Sequence, residues 1–567
     1  MRHKLHGTPR RLLAWHLWLA LAIPGAHAAH AATAWQAAAW QAAARQPLPG
    51  RTVMHEQALL RALYALHPLP LWSRDGHLSQ QGGQLADTLV AAGDYGLEPA
   101  DYAADLIAAR RRLLQSGGER AAAAWMRFDV MLSCAAIRLV THLHYGRIDP
   151  RTAGFELAGT RNDLDVVATV AALAAAASVR AALAAVEPPF YHYRLLEAAR
   201  ARYRALQKIP GLTDLPALPR RPLRTGEAYA GAAALRRLLT ALGDLPAAIP
   251  SSSAAAPAAP GGIIDGDLAA ALQRFQARHG LTVDGSLGPQ TYAALTTPIA
   301  QRVRQIDLTL ERWRWLPPFR RPPIIVNIPE FRLFAFPTTD DHVAGMLQMD
   351  VIVGQTYPRT RTPIFVGELQ YIVFRPYWNV PRSITLREML PAIRAHADYL
   401  RRNDLQIVRG QSDDAAVVAP SPAAIDELAA GRLRLRLRQT PGEDNALGLV
   451  KFIFPNVHDV YMHGTPAHHL FLQSRRAFSH GCIRVSDPEA LAQFVLRNAA
   501  GRWDDRQIFA AMHGRDSLRI RLPAPVPVMI LYGTVVATQA GPVQFFDDIY
   551  GHDRKLAALL GFADANR

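Results

Sequence analysis

From about residue 52 to 225, apolar positions recur at three- and four-residue spacing, which predicts helices. Ala86–Ala92 and Val166–Val186 are rich in Ala and Leu, both strong helix formers, and Gly93, Gly96, Pro99, Gly146, Pro150, Pro188 and Pro189 punctuate the pattern. A second unit covers 226–297. Leu235, Leu238, Leu239 and Leu242 share a helix face that Gly243 ends; Leu268, Ala271, Leu272 and Phe275 make a second face. Gly288-Pro289 opens a third helix with Tyr292 and Leu295 on its buried side, and the Ala/Pro/Ser tract 246–262 reads as a flexible insert. A connecting helix is expected over 298–321. The period then changes to two: Ile324–Ile328, Met349–Val353, Lys451–Phe454 and Val460–His463 read as strands, and Arg332, Phe334 and Phe336 alternate with apolar partners. Residues 383–448 look helical except Arg432–Arg438, whose strict Arg/Leu alternation predicts an edge strand protected by charge, with a contact for an anionic polymer as the alternative. The expected fold class is multidomain α+β: a helical domain over 51–225, a small three-helix module, a mostly β domain over 322–550 and a tail over 551–567.

Composition adds compartment and class. With 567 residues, half of them hydrophobic and 19% charged, the chain can bury several cores and is neither disordered nor a disulfide miniprotein. The net charge of +16 favours anionic surroundings such as cell wall, membrane surface or nucleic acid. Arg2, Lys4, Arg10 and Arg11 precede an apolar stretch over Leu12–Ile23, and Ala26-His27-Ala28 follows. This predicts a cleavable signal peptide over 1–28, with an uncleaved anchor as the alternative, and an Ala/Gln-rich lead-in over 29–50. Its removal leaves +12 and no segment that looks transmembrane, so the mature protein is expected in the periplasm or an equivalent exported compartment.

Two cysteines in an exported chain could pair, but their contexts differ. Cys134 lies in a largely apolar helical pattern and reads as a small buried hydrophobe. Cys482 lies in Ser479-His480-Gly481-Cys482-Ile483-Arg484. An imidazole or cation beside a thiol promotes the thiolate, the nucleophilic form, and a Cys–His pair suits acyl transfer. Gly481 would allow close backbone approach, with amide groups there as oxyanion donors. His463 stands 19 residues upstream, sharing a strand face with Tyr461. A zinc site made from the nearby histidines and one Cys fits no common ligand spacing, so no metal and no cofactor are expected. Free thiols are expected at both cysteines.

Two sets of motifs carry a resemblance. Tyr461-Met462-His463-Gly464-Thr465-Pro466 followed by Ser479-His480-Gly481-Cys482-Ile483-Arg484-Val485 resembles the signature of L,D-transpeptidases with a YkuD-type catalytic domain. Glu311–Pro317, Val353-Gly354, Thr360–Pro363, Tyr377–Pro381 and Pro441–Gly448 extend the likeness to the large multidomain Gram-negative branch, whose scaffold domain the helical first third resembles. Many relatives carry Asn where this chain has Arg484, and Arg there resembles the multidomain branch. The phrase F-Q-x-x-H-G-L-x-x-D-G-x-x-G-x-x-T over Phe275–Thr291 resembles a peptidoglycan-binding module. A three-helix unit that binds nothing is the alternative.

The resemblance implies a YkuD-type β domain with a lid subdomain at about 383–448. It also implies a reaction: Cys482 attacks the L-centred carbonyl of a stem tetrapeptide, D-Ala leaves, and a second stem amine resolves the thioester into a cross-link between third residues. His463 would be the base, oriented by a backbone carbonyl. His480 and Gly481 would shape the turn, and Tyr461, Arg484 and Ser479 would position substrate. Trp378 and Asn379 would wall the cleft, with ordinary core as the alternative for Trp378. The partners implied are peptidoglycan stem peptides and glycan, with acylation by carbapenem-type inhibitors; nucleic acid is not. An L,D-carboxypeptidase using water, or a non-catalytic wall-binding scaffold, remains open at this point.

Overall fold

The structure is a computed structural model. It describes residues 53–116, 122–157, 163–246, 262–341, 344–357, 360–410, 412–430, 435–497, 499, 503–539 and 542–562. The expected signal peptide and lead-in, nearly all of the insert over 246–262, Arg432–Arg434 and the last five residues of the tail lie outside them. Among the described residues no helix is long and apolar enough to cross a membrane.

The chain divides into two compact units. One comprises Met1–Val90, Ala100–Arg138 and Asp165–Arg180; the other comprises Ala91–Pro99, Leu139–Leu164 and Ala181–Arg567. The helical stretch over 51–225 is thus shared between units, because its helices find partners far along the chain. In the first unit Asp129 is fully buried, and it accepts hydrogen bonds from the Tyr64 hydroxyl (2.8 Å), the Trp72 amide (2.8 Å) and the Ser73 hydroxyl (3.0 Å). Such saturation is what a buried carboxylate requires. Cys134 is a free thiol in this unit, pushed up to about 12 by burial, consistent with the inert reading.

In the second unit the three-helix module forms as expected: α1 (Ala232–Leu242), α2 (Gly266–Arg278) and α3 (Pro289–Leu295). Gly243 ends α1 at φ 87°, where a side chain is disfavoured. The motif residues are mostly structural. Gln276 donates to the Asp284 carboxylate (2.8 Å) and the Thr291 hydroxyl (3.1 Å), and accepts from the Gly285 amide (2.9 Å). The connecting helix is α4 (Ile299–Arg314), whose Glu-Arg-Trp-Arg sequence is equally structural. Glu311 accepts the Ile148 amide at 2.9 Å, Arg312 pairs with Asp553 at 2.6 Å, and fully buried Arg314 donates to the Tyr193 hydroxyl at 3.0 Å.

The β domain is a nine-stranded sheet. Its strands are β1 (Ile324–Asn327), β2 (Arg332–Ala335), β3 (Leu347–Gly354), β4 (Val366–Phe374), β9 (Val450–Ile453), β10 (Met462–His463), β11 (Ala477–Ser479), β12 (Ile483–Val485) and β13 (Leu518–Leu531). The order is β11-β3-β12-β10-β9-β4-β13-β1-β2, and β2 also pairs with β3, so the sheet closes on itself. Eight strands close into a ring with β11 added outside β3, and they enclose a core including Val351, Val353, Phe374, Val450, Phe452, Met462, Ile483 and Val485. Residues of the opposite parity on these strands face outward.

Between β4 and β9 the chain builds a separate sheet of β5 (Trp378–Asn379), β6 (Leu405–Arg409), β7 (Ala416–Val418) and β8 (Leu435–Gln439), in the order β5-β8-β6-β7, with its own apolar cluster. The helical expectation for 383–448 holds for 382–395, Tyr399–Arg402 and Pro422–Ala429 but not for these strands, and the edge-strand expectation for the basic run is corrected. Strand β8 lies inside the sheet, and Arg438 is buried, with its guanidinium 4.3 Å from the Tyr377 ring and 2.7 Å from the Asp413 carbonyl. Five-residue strands are too short for periodicity to separate from helix, and a buried, satisfied cation imitates a surface one in sequence.

Candidate active site

Three adjacent strands set the site. Register pairs Lys451 on β9 with His463 on β10, and His463 with Arg484 on β12. Since Val450, Met462, Ile483 and Val485 point into the core, Lys451, His463 and Arg484 form a row on the outer face. Tyr461 and Cys482 continue that face by the two-residue period, and the Ile483 amide donates to the Tyr461 carbonyl at 3.0 Å, locking the two segments together. Cys482 therefore sits beside Tyr461 and one diagonal step from His463.

The turn that presents the sulfur is pinned from behind. Gly481 has φ +123°, a conformation that L side chains rarely adopt. Ser479 is buried; its hydroxyl donates to the Cys482 carbonyl and accepts the Gly481 amide at 3.1 Å. That corrects two expectations. The Ser479 hydroxyl is held by the turn rather than open to substrate, and the Gly481 amide is already engaged rather than free as an oxyanion donor. Thr362 completes the clamp: its hydroxyl donates to the Gly481 carbonyl (2.8 Å) and accepts the Gly354 amide (2.9 Å).

His463 is buried, with Nδ1 2.6 Å from the Gly464 carbonyl. A nitrogen facing a carbonyl must carry the proton, so Nε2 is left as the basic atom. Burial, then the Arg484 and Lys451 charges, push the imidazole down to about 3, so it is neutral at pH 7. Gly448, at φ +63°, makes room for this segment: a Cβ there would stand 2.6 Å from the Thr465 amide nitrogen.

Cys482 is a free thiol, half-buried, and its Sγ donates to the Asp459 carbonyl at 3.8 Å. Burial pushes the thiol up, opposed by the Tyr461 amide, Lys451 and the Tyr461 hydroxyl. Among the described residues no hydrogen bond joins the sulfur to His463, so the resting pair is a neutral thiol and a neutral imidazole. Lys451 was not singled out in the sequence; its Nζ lies 3.8 Å from the centre of the Tyr461 ring. Its only signal was a charge within an apolar strand, and strand register alone reveals what it faces. Arg484 is half-buried with its Nε lacking a partner, and its charge acts on both Cys482 and His463.

The small sheet supplies the other wall. Trp378 packs against that sheet's apolar cluster. Asn379 beside it has a buried Oδ1 without a partner. His480 is exposed, and its Nε2 lies 2.9 Å from Glu388, in the π-helical turn Thr385–Met389. The imidazole thus ties the turn that presents the sulfur to the subdomain. Among the described residues no group of three or more His, Cys, Asp or Glu side chains is placed to hold a metal ion.

The closed β domain thus presents an outward-facing cysteine on a clamped strand turn, with a histidine oriented by a backbone carbonyl on the parallel neighbouring strand. Residues 321–528 match the family described as "L,D-transpeptidase catalytic domain", residues 230–295 match "Putative peptidoglycan binding domain", and residues 58–199 match "Scaffold domain". Three successive stretches of the chain are thus similar to these three families. It is also 31% identical over 254 residues to a protein of Haemophilus influenzae named "Putative L,D-transpeptidase", an alignment covering 45% of this chain and 49% of that protein. The chain thus spans about half the length of that relative.

Proposed function

We propose that the protein is an exported L,D-transpeptidase that cross-links peptidoglycan stem peptides through a thioester on Cys482. The observation that carries this reading is the row of outward side chains in which Cys482 is flanked by Tyr461, His463 and Arg484. Attack begins when the sulfur turns from the Asp459 carbonyl towards the L-centred carbonyl of a tetrapeptide. The thiol proton passes to His463 Nε2, the S–C bond forms, and the C–N bond to D-Ala breaks as the imidazolium returns that proton to the leaving amine. The acceptor amine then loses its proton to Nε2 and displaces the sulfur. Lys451 and the Tyr461 hydroxyl stabilise the thiolate while it exists, and Arg484 offers its free Nε to a substrate carboxylate.

Neutral resting partners suit this chemistry, because charge develops only when substrate is in place. The subdomain carrying Trp378 and Glu388 serves as a lid, with His480 as its fastening. Carbapenems, as acylating carbonyl compounds, should label the same sulfur.

The test is Cys482→Ala with purified tetrapeptide muropeptides. D-Ala release and the new dimer peak are both expected to vanish; dimer formation retained in that variant removes Cys482 from the mechanism. In the unmodified protein, tripeptide formed without dimer would instead identify water as the acceptor, giving an L,D-carboxypeptidase.

A further inference from the structure

The peptide unit joining Gly481 to Cys482 is held at one end. Its carbonyl accepts the Thr362 hydroxyl at 2.8 Å. The peptide is trans, so its N–H points the opposite way, away from Thr362. Among the described residues the Cys482 amide has no hydrogen-bond partner. Whatever fixes Thr362 therefore fixes the direction of that amide.

Thr362 is fixed by the end of β3 and by a residue far along the chain. Its hydroxyl accepts the Gly354 amide at 2.9 Å, and its own amide donates to the Tyr550 hydroxyl at 3.2 Å. The same phenol donates to the Gly354 carbonyl at 2.6 Å, so one oxygen bridges β3 and the segment Thr360–Pro363. These two pieces of backbone lie too close for a side chain: a Cβ on Gly354 would stand 2.6 Å from the Thr362 amide nitrogen.

Tyr550 is itself held firmly. It is buried, its ring stacks on Tyr532 at 5.9 Å, and its amide donates to the Tyr532 hydroxyl at 2.9 Å. That hydroxyl donates to Asp548 at 2.7 Å. Asp548 also accepts the Asp553 amide at 3.0 Å, and Asp553 pairs with Arg312 on α4. Burial pushes the Tyr550 phenol up, so it keeps its proton at neutral pH and stays a donor to Gly354. Tyr550 lies beyond the stretch 321–528 that matches the catalytic family.

We infer that Tyr550 is a positioning residue for acyl transfer: acting through Thr362 and the Gly481 carbonyl, it aims the Cys482 N–H at the oxygen of the carbonyl under attack. This role rests on the proposed function for the identity of Cys482 as the acylated residue. As the S–C bond forms, the carbonyl π electrons move onto oxygen, and a donor already pointing there stabilises that charge without reorienting. Alkylation by iodoacetamide displaces iodide from a saturated carbon and creates no such oxyanion. The two reactions of one sulfur thus separate the direction of the amide from the reactivity of the thiol.

The test uses the full chain carrying Tyr550→Phe, with Tyr229→Phe as the control. The control also loses a hydroxyl bonded to a carbonyl, that of Pro216 at 2.6 Å, but in the segment that matches the peptidoglycan-binding family. In Tyr550→Phe, acylation of Cys482 at saturating carbapenem is expected to slow by about tenfold or more, while iodoacetamide alkylation of Cys482 keeps its native rate. Both rates are expected to stay native in Tyr229→Phe. An equal fall of both reactions in Tyr550→Phe overturns the inference, because the sulfur itself has then moved. Equally slowed acylation in Tyr229→Phe also overturns it, since lost stability then accounts for the effect. A native protein that the carbapenem does not label overturns the proposed function and this role with it. A labelled native protein with Tyr550→Phe labelled as fast overturns this role alone.

Discussion

Lys451 and His463 occupy neighbouring positions on the outer face, and each makes its own prediction for the site. The ammonium group of Lys451 sits on the Tyr461 ring and favours ionised Cys482, while burial weighs against it. Lys451→Met is therefore expected to move the midpoint of iodoacetamide alkylation of Cys482 to higher pH, with Lys451→Arg restoring most of it. One pH unit corresponds to roughly tenfold less thiolate at pH 7. An unchanged alkylation profile would show that Lys451 only fills space. His463 makes a different prediction. Its folded value of about 3 lies below that of a free histidine, near 6.5, so between these limits the unfolded chain binds a proton that the folded chain refuses. Stability therefore falls as the pH drops through that window, by up to roughly 1.4 kcal/mol per pH unit from this group. His463→Gln removes that contribution, and urea midpoints at pH 7, 5.5 and 4 should converge for the two proteins as the solution is acidified.

At the level of elements, the nucleophile turn depends on a hydroxyl far away in sequence. Thr362→Val keeps the shape but leaves the Gly481 carbonyl and the Gly354 amide without their partner. A loss of about 1–3 kcal/mol is expected in denaturant unfolding, together with slower acylation of Cys482 by a carbapenem. Acylation at the native rate would mean that Ser479 alone fixes the turn. The motif Thr360–Pro363 was visible in the sequence only through resemblance, and its physical purpose appears once β3 and the turn are brought together. The small sheet teaches the converse. Its strands are three to five residues long or shorter, and Glu388, the partner of His480, lies in a helical turn with no distinguishing pattern.

For the whole molecule, local pattern and tertiary closure divided the work. The sequence by itself determined the three-helix module and the period-two strands, and it singled out Cys482 and His463 as candidates. Each of these is written in spacing, turn residues or a short contiguous motif, which neighbouring residues can express. Only the tertiary structure decided that the sheet closes, that Lys451 joins the row of Tyr461, His463 and Arg484, and that Ser479 and Thr362 clamp the turn. Those facts depend on strand register and on contacts between distant segments. A one-residue slip of β9 would send Lys451 into the core, and nothing within the strand's own four residues records which neighbour it will meet.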